Sequence, residues 1–116
     1  MQYLLLIYND DAKMAAATRA EHEAMGKDYR EVTGSLIQNG QMRATGTWPS
    51  GITTVRVSDG KTLTTDGPFA EAREAVGGFC LIDVADVDAA VKIAERIPGA
   101  KFGRVEIRPV TPYPAK

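Results

Sequence analysis

The sequence predicts a single α+β domain over residues 1–116. Its order is strand, helix, strand, strand, helix, strand, with a β-hairpin inserted in the middle. Three observations carry this reading. Residues 2–8 and 77–84 are short runs, apolar at alternate positions on both faces, as strands covered on both sides are. Two stretches, 18–39 and 86–97, carry apolar residues at spacings of three and four. Between them, Asp59-Gly60 separates two runs rich in Val and Thr, the pattern of a two-residue hairpin loop.

Taken in order, Gln2 to Tyr8 reads as a central strand, with Tyr3, Leu5 and Ile7 on one face and Leu4, Leu6 and Tyr8 on the other. The turn-formers Asn9-Asp10-Asp11 close it. Thr18 followed by Glu21 forms a capping box, which opens a long helix to about Asn39. His22, Met25, Tyr29, Val32 and Leu36 share its sheet-facing stripe. Gln41 to Trp48 is a second strand, ended by Pro49-Ser50-Gly51. Thr53–Ser58 and Lys61–Thr65 make the hairpin. In the strand from Gly77 to Val84, Phe79 and Leu81 oppose Cys80, Ile82 and Val84. Asp86 caps a second helix through Ile97, with Val87, Ala90, Val91, Ala94 and Ile97 expected inside and Pro98-Gly99 as its stop. Val105 to Val110 is the last strand before Pro112 and Pro114.

With the hairpin set aside, this is the ferredoxin-like split βαβ arrangement. Right-handed crossovers place both helices on one side of the sheet. The other side is left apolar and uncovered, so a homodimer packed through that face is expected.

Composition removes several classes of function. Fourteen Lys and Arg against fifteen Asp and Glu leave a net charge of -1, so no basic field holds a nucleic acid. One cysteine, Cys80, closes no disulfide within the chain and builds no thiolate cage. Metal-ligand spacing and Gly-rich phosphate loops are absent from the sequence, so no metal or cofactor is expected. No apolar run approaches the ~20 residues that span a bilayer, and Leu4–Ile7 lacks the basic flank of a signal. A cytoplasmic location without membrane attachment follows as the expectation.

The segment Thr65-Asp66-Gly67-Pro68-Phe69-Ala70-Glu71, continuing through Ala72-Arg73-Glu74-Ala75-Val76 to Gly77-Gly78-Phe79, resembles the DGPF family of the YCII-related superfamily. That family's block reads DGPFAETKE before a Gly-Gly-aromatic strand. Here Ala72 and Arg73 stand for the customary Thr and Lys. The start Gln2–Tyr8 and the ending Val105–Val110 also resemble the family, so the likeness spans nearly the whole chain. It implies a dimeric α/β-barrel fold. It also implies an association with extracytoplasmic-function sigma factors, whose neighbours such proteins often are. In the wider superfamily a His and Asp pair is thought to act in some members, and His22 resembles that histidine in lying early on the first helix.

Two readings of function follow. In the first, the chain is a small-molecule-binding protein acting as a cofactor-independent lyase or isomerase. His22 is the general base, and the helix N-terminus favours its neutral imidazole. Asp66 orients it, and Arg43, Trp48 and Phe69 hold the substrate. In the second, the chain is a non-catalytic ligand-binding or regulatory module partnered with a sigma factor. The bland reading of each residue stands beside these: His22 as a satisfied rim histidine, Asp66 as a loop-closing acceptor, Phe69 as a core plug, and Cys80 as a small hydrophobe.

Overall fold

The computed structural model describes residues 1–47, 52–67 and 75–113. The described elements are β1 (Gln2–Asn9), α1 (Asp11–Ala16), α2 (Arg19–Gln38), β2 (Met42–Thr47), β3 (Thr53–Ser58), β4 (Lys61–Asp66), β5 (Ala75–Asp83), α3 (Val87–Ala94), α4 (Gly99–Phe102) and β6 (Gly103–Val110). Four strands form an antiparallel sheet in the order β2-β5-β1-β6, and β3 pairs with β4 in a separate two-stranded sheet. Each helical connection therefore joins two strands that have a third between them, as the ferredoxin-like arrangement requires. The sheet is open, with β2 and β6 as its edges. The single chain closes no barrel, so the barrel implied by the resemblance is not a property of one copy.

Alternation along the central strands decides what is buried. Tyr3, Leu5 and Ile7 of β1 lie beside Ile82, Cys80 and Gly78 of β5, in register. α2 lays Val32 and Leu36 on this face, and α3 and the turn after it add Ala90, Ile93, Ala94 and Ile97. Leu5, Leu36, Ile82 and Ile97 are the largest side chains fully removed from water. Leu4, Leu6, Phe79 and Leu81 point the other way and stay half-buried. Cys80 and Ile82 of β5 thus lie under the helices.

Several expectations are corrected. Asp10 does not merely turn the chain: its carboxylate accepts from the Ala12 and Lys13 amides at 3.0 and 3.1 Å and starts the short helix α1. The second long helix breaks after Ala94 instead of running to Ile97, and Gly99 begins α4. Ile93 is buried there, whereas Val87 and Val91 are 49% and 46% exposed. His22 leaves the buried stripe altogether. Met25, Val32 and Leu36 are buried and Tyr29 is half-buried, but His22, one turn nearer the helix start, is exposed. The capping box forms as expected, with Thr18 and Glu21 bonded reciprocally at 3.0 and 3.1 Å.

Candidate functional site

A cavity of about 490 Å³ lies between α2 and the sheet, at the end where β1 finishes and β5 begins. Met25, Tyr29 and Thr33 of α2 form one wall and Met14 of α1 contributes an edge. Ile7 and Asn9 of β1, Thr45 to Thr47 of β2, and Gly77 to Cys80 of β5 line the rest. The periodicity of α2 explains its wall, because Met25, Tyr29 and Thr33 succeed one another at four-residue spacing. Gly78 explains the floor. A Cβ there would stand 3.0 Å from the Gly46 carbonyl oxygen, so β2 approaches β5 this closely only across a glycine.

The polar groups of the lining are neutral. The Tyr29 hydroxyl accepts from the buried Gly99 amide at 3.2 Å, which leaves its own proton to donate. Burial pushes the Tyr29 phenol above its ordinary pKa. Thr45 Oγ1 donates to the Phe79 carbonyl at 3.0 Å and sits 3.6 Å from Cys80 Sγ. With the threonine proton committed, the thiol is the donor of that second contact. Burial raises the Cys80 pKa as well, against the opposing pull of Thr45. Among the described residues that line the cavity, none is a carboxylate, a histidine or a cation. Also among the described residues, no cluster of three or more His, Cys, Asp or Glu is arranged to hold a metal ion.

The residues singled out from sequence do not converge here. His22 lies three residues before Met25, off the lining. Asp66 is the exposed last residue of β4, paired with Thr53 across the hairpin. Among the described residues, no hydrogen bond or ion pair joins the His22 and Asp66 side chains. Gly67 has φ +97°, its amide donates to the Ile52 carbonyl at 2.7 Å, and its carbonyl accepts from Thr54 Oγ1 at 2.7 Å. Trp48 and Phe69 lie outside the described residues.

Arg43 is committed elsewhere. Its guanidinium donates to the Gly40 carbonyl at 2.7 Å and to Asp83 Oδ2 at 3.2 Å, and its backbone lies two residues along β2 from the cavity residue Thr45, or about 7 Å. Asp83 also takes the N-terminal ammonium at 3.0 Å. That ammonium, and then Arg43, hold the Asp83 carboxyl below its ordinary value of 3.8. A folded-state value below the unfolded one gives stability that is complete above pH 3.8 and is lost as the pH falls through the folded value. Thermal melts taken from neutral pH down to about pH 3 should therefore decline more steeply for the wild type than for Asp83→Asn. Parallel declines would remove the ion pair from the account.

What sequence reasoning missed are Tyr29, Thr33 and Thr45 as cavity groups. Tyr29 was legible as a stripe residue, and the Gly77-Gly78 pair was the one signal of a close strand approach. Fold and lining together define a small α+β domain with a partly open cavity under its first long helix, its described lining free of charged side chains.

The chain belongs to the YCII-related domain family, whose model matches residues 1–114. An uncharacterized protein of Rhizobium meliloti (strain 1021) is 33% identical over 117 residues, covering 97% of this chain and 94% of that protein. Among the described residues, no helix is long and apolar enough to cross a membrane.

Proposed function

We propose that this YCII-related chain binds a small, uncharged, largely apolar molecule in the cavity beneath α2. The observation that carries the reading is the lining itself. It has the size of a small-molecule site, mostly apolar walls and a few fixed hydroxyls. Its two titratable groups, Tyr29 and Cys80, are both held toward their neutral forms. Among the described lining residues a charged ligand would meet no counter-ion to offset the hydration it loses. A ligand carbonyl or hydroxyl, by contrast, has the Tyr29 proton to accept.

Fluorescence titration with the neutral probe N-phenyl-1-naphthylamine and the anionic probe 8-anilinonaphthalene-1-sulfonate tests this. The neutral probe is expected to bind at least about tenfold more tightly, a difference of about 1.4 kcal/mol. Thr33→Trp, which fills the cavity from α2, should abolish its binding. Equal affinity for both probes, or full binding by Thr33→Trp, would refute the reading.

Should the bound molecule be turned over, His22 is the base we propose. It stands exposed one turn before Met25, near the start of the helix that walls the cavity, and removing a proton in this way needs no cofactor. His22→Gln would then abolish turnover while leaving probe binding intact. Within the family, the block beginning at Asp66 favours the DGPF group. A regulatory role beside an extracytoplasmic-function sigma factor rests on that resemblance and is compatible with ligand binding. We further propose that two copies associate through the helix-free sheet face, because among the described residues no helix covers Leu4, Leu6 and Leu81 there.

A further inference from the structure

Among the described residues, the hairpin β3–β4 is exposed on both faces. Of its twelve strand residues only Thr54 is half-buried, and the other eleven are exposed. A two-stranded hairpin standing alone in water is marginal at best. Its two faces differ. The register places Thr53, Val55 and Val57 opposite Asp66, Thr64 and Thr62, so five of the six side chains on one face are β-branched and Asp66 stands at its end. The other face carries Arg56, Lys61 and Leu63. Val55 and Val57 are 59% and 71% exposed.

The dimensions of the whole chain point the same way. Its radius of gyration is 16.6 Å, where about 13 Å is usual for 116 residues. It exposes 8446 Å², about 2,300 Å² more than a compact monomer of 12.5 kDa does. That excess falls within the roughly 1,000–2,500 Å² that each partner of a permanent homodimer buries.

We propose that the hairpin is a dimerisation arm, its Val55 and Val57 face seated on a second copy of this chain. The inference rests on the homodimer proposed above and adds which element makes the grip. A second copy is the occupant because the chain carries both halves of the contact. Among the described residues it has an exposed valine and threonine ladder, and a half-buried sheet face of Leu4, Leu6 and Leu81 with no helix over it. A two-fold axis lets each arm lie against the other protomer, so both surfaces are covered in one closed, isologous assembly. The arm also leaves the sheet after Thr47 and the chain returns at β5 shortly before Gly77, so the grip is anchored between two strands that line the cavity.

Sedimentation equilibrium on the full chain tests the arm. The wild type is expected to be a dimer at micromolar concentration. Val55→Lys/Val57→Lys should raise its dissociation constant at least about tenfold, and Leu63→Lys, on the opposite hairpin face, by less than about threefold. If the double lysine variant does not fold, Val55→Thr/Val57→Thr keeps the β-branched shape and should still weaken association several-fold. Amide exchange adds an independent readout. Protection of residues 53–66 should be present in the wild-type dimer and lost on dilution to monomer. A wild-type dimer unaffected by the valine substitutions would overturn the arm while leaving the sheet-face dimer standing. A wild-type monomer at every concentration would overturn both.

Discussion

Leu5→Ala is expected to cost the folded chain about 2–5 kcal/mol, and Leu4→Ala, its neighbour in the same strand, no more than about 1 kcal/mol. The two residues are chemically identical and adjacent, so propensity and sequence context cancel. Only the face differs. Leu5 is fully buried, between Cys80 and Ile107 in the register and beneath the helices. Its truncation loses the transfer energy of the removed atoms and leaves a void that the close-packed core fills only in part. Leu4 points to the helix-free side and is half-buried. Against a total stability of roughly 6–17 kcal/mol for a chain of this length, the Leu5 loss is a large fraction. Urea unfolding of the monomer, at a protein concentration below that at which two copies associate through the Leu4 face, measures both variants. Equal losses would mean that the sheet does not present the two faces described.

The second large effect is expected at Gly99. The residue is buried, and its amide donates to the Tyr29 hydroxyl. A Cβ built there meets the Ile7 side chain and comes within 3.0 Å of the Tyr29 oxygen. Gly99→Val must therefore displace either the first strand or the α2 wall of the cavity, at a cost of about 1–3 kcal/mol for overpacking. Both Ile7 and Tyr29 line the cavity, so the variant should lose the neutral probe as well as stability. Tyr29→Phe separates the two consequences. It leaves the Gly99 amide unsatisfied without crowding, and should reduce stability by about 1–3 kcal/mol while the cavity keeps its volume. Wild-type stability and probe binding in Gly99→Val would show that α4 does not sit where it is described.

Periodicity made the sheet and the first long helix legible, because Tyr3, Leu5 and Ile7 and the Met25–Leu36 stripe repeat often enough to fix a face. The Asp59-Gly60 hairpin was legible from its turn, and Asp59 and Gly60 do both take positive φ, 51° and 73°. The short helices were not. α1 is six residues long, and the Asp10 that caps it is equally a turn residue. Pro98-Gly99 reads as a stop, yet it opens α4. His22 shows the limit of a periodic argument: a stripe says which side of a helix faces the sheet, but not how far the sheet extends beneath it. The cavity was hidden for a related reason. Its walls come from α1, α2, β1, β2 and β5, brought together by tertiary packing and by glycines whose close approach has no signature in spacing.

The proposed binding site is the cavity under α2. Two-dimensional ¹H–¹⁵N NMR of the labelled chain, titrated with N-phenyl-1-naphthylamine, tests it most directly. The amides of Tyr29, Thr33, Thr45 and Gly78 should shift together and saturate with one probe per chain. Shifts confined to Leu4, Leu6 and Leu81 on the helix-free face, or no saturable shift at all, would contradict it.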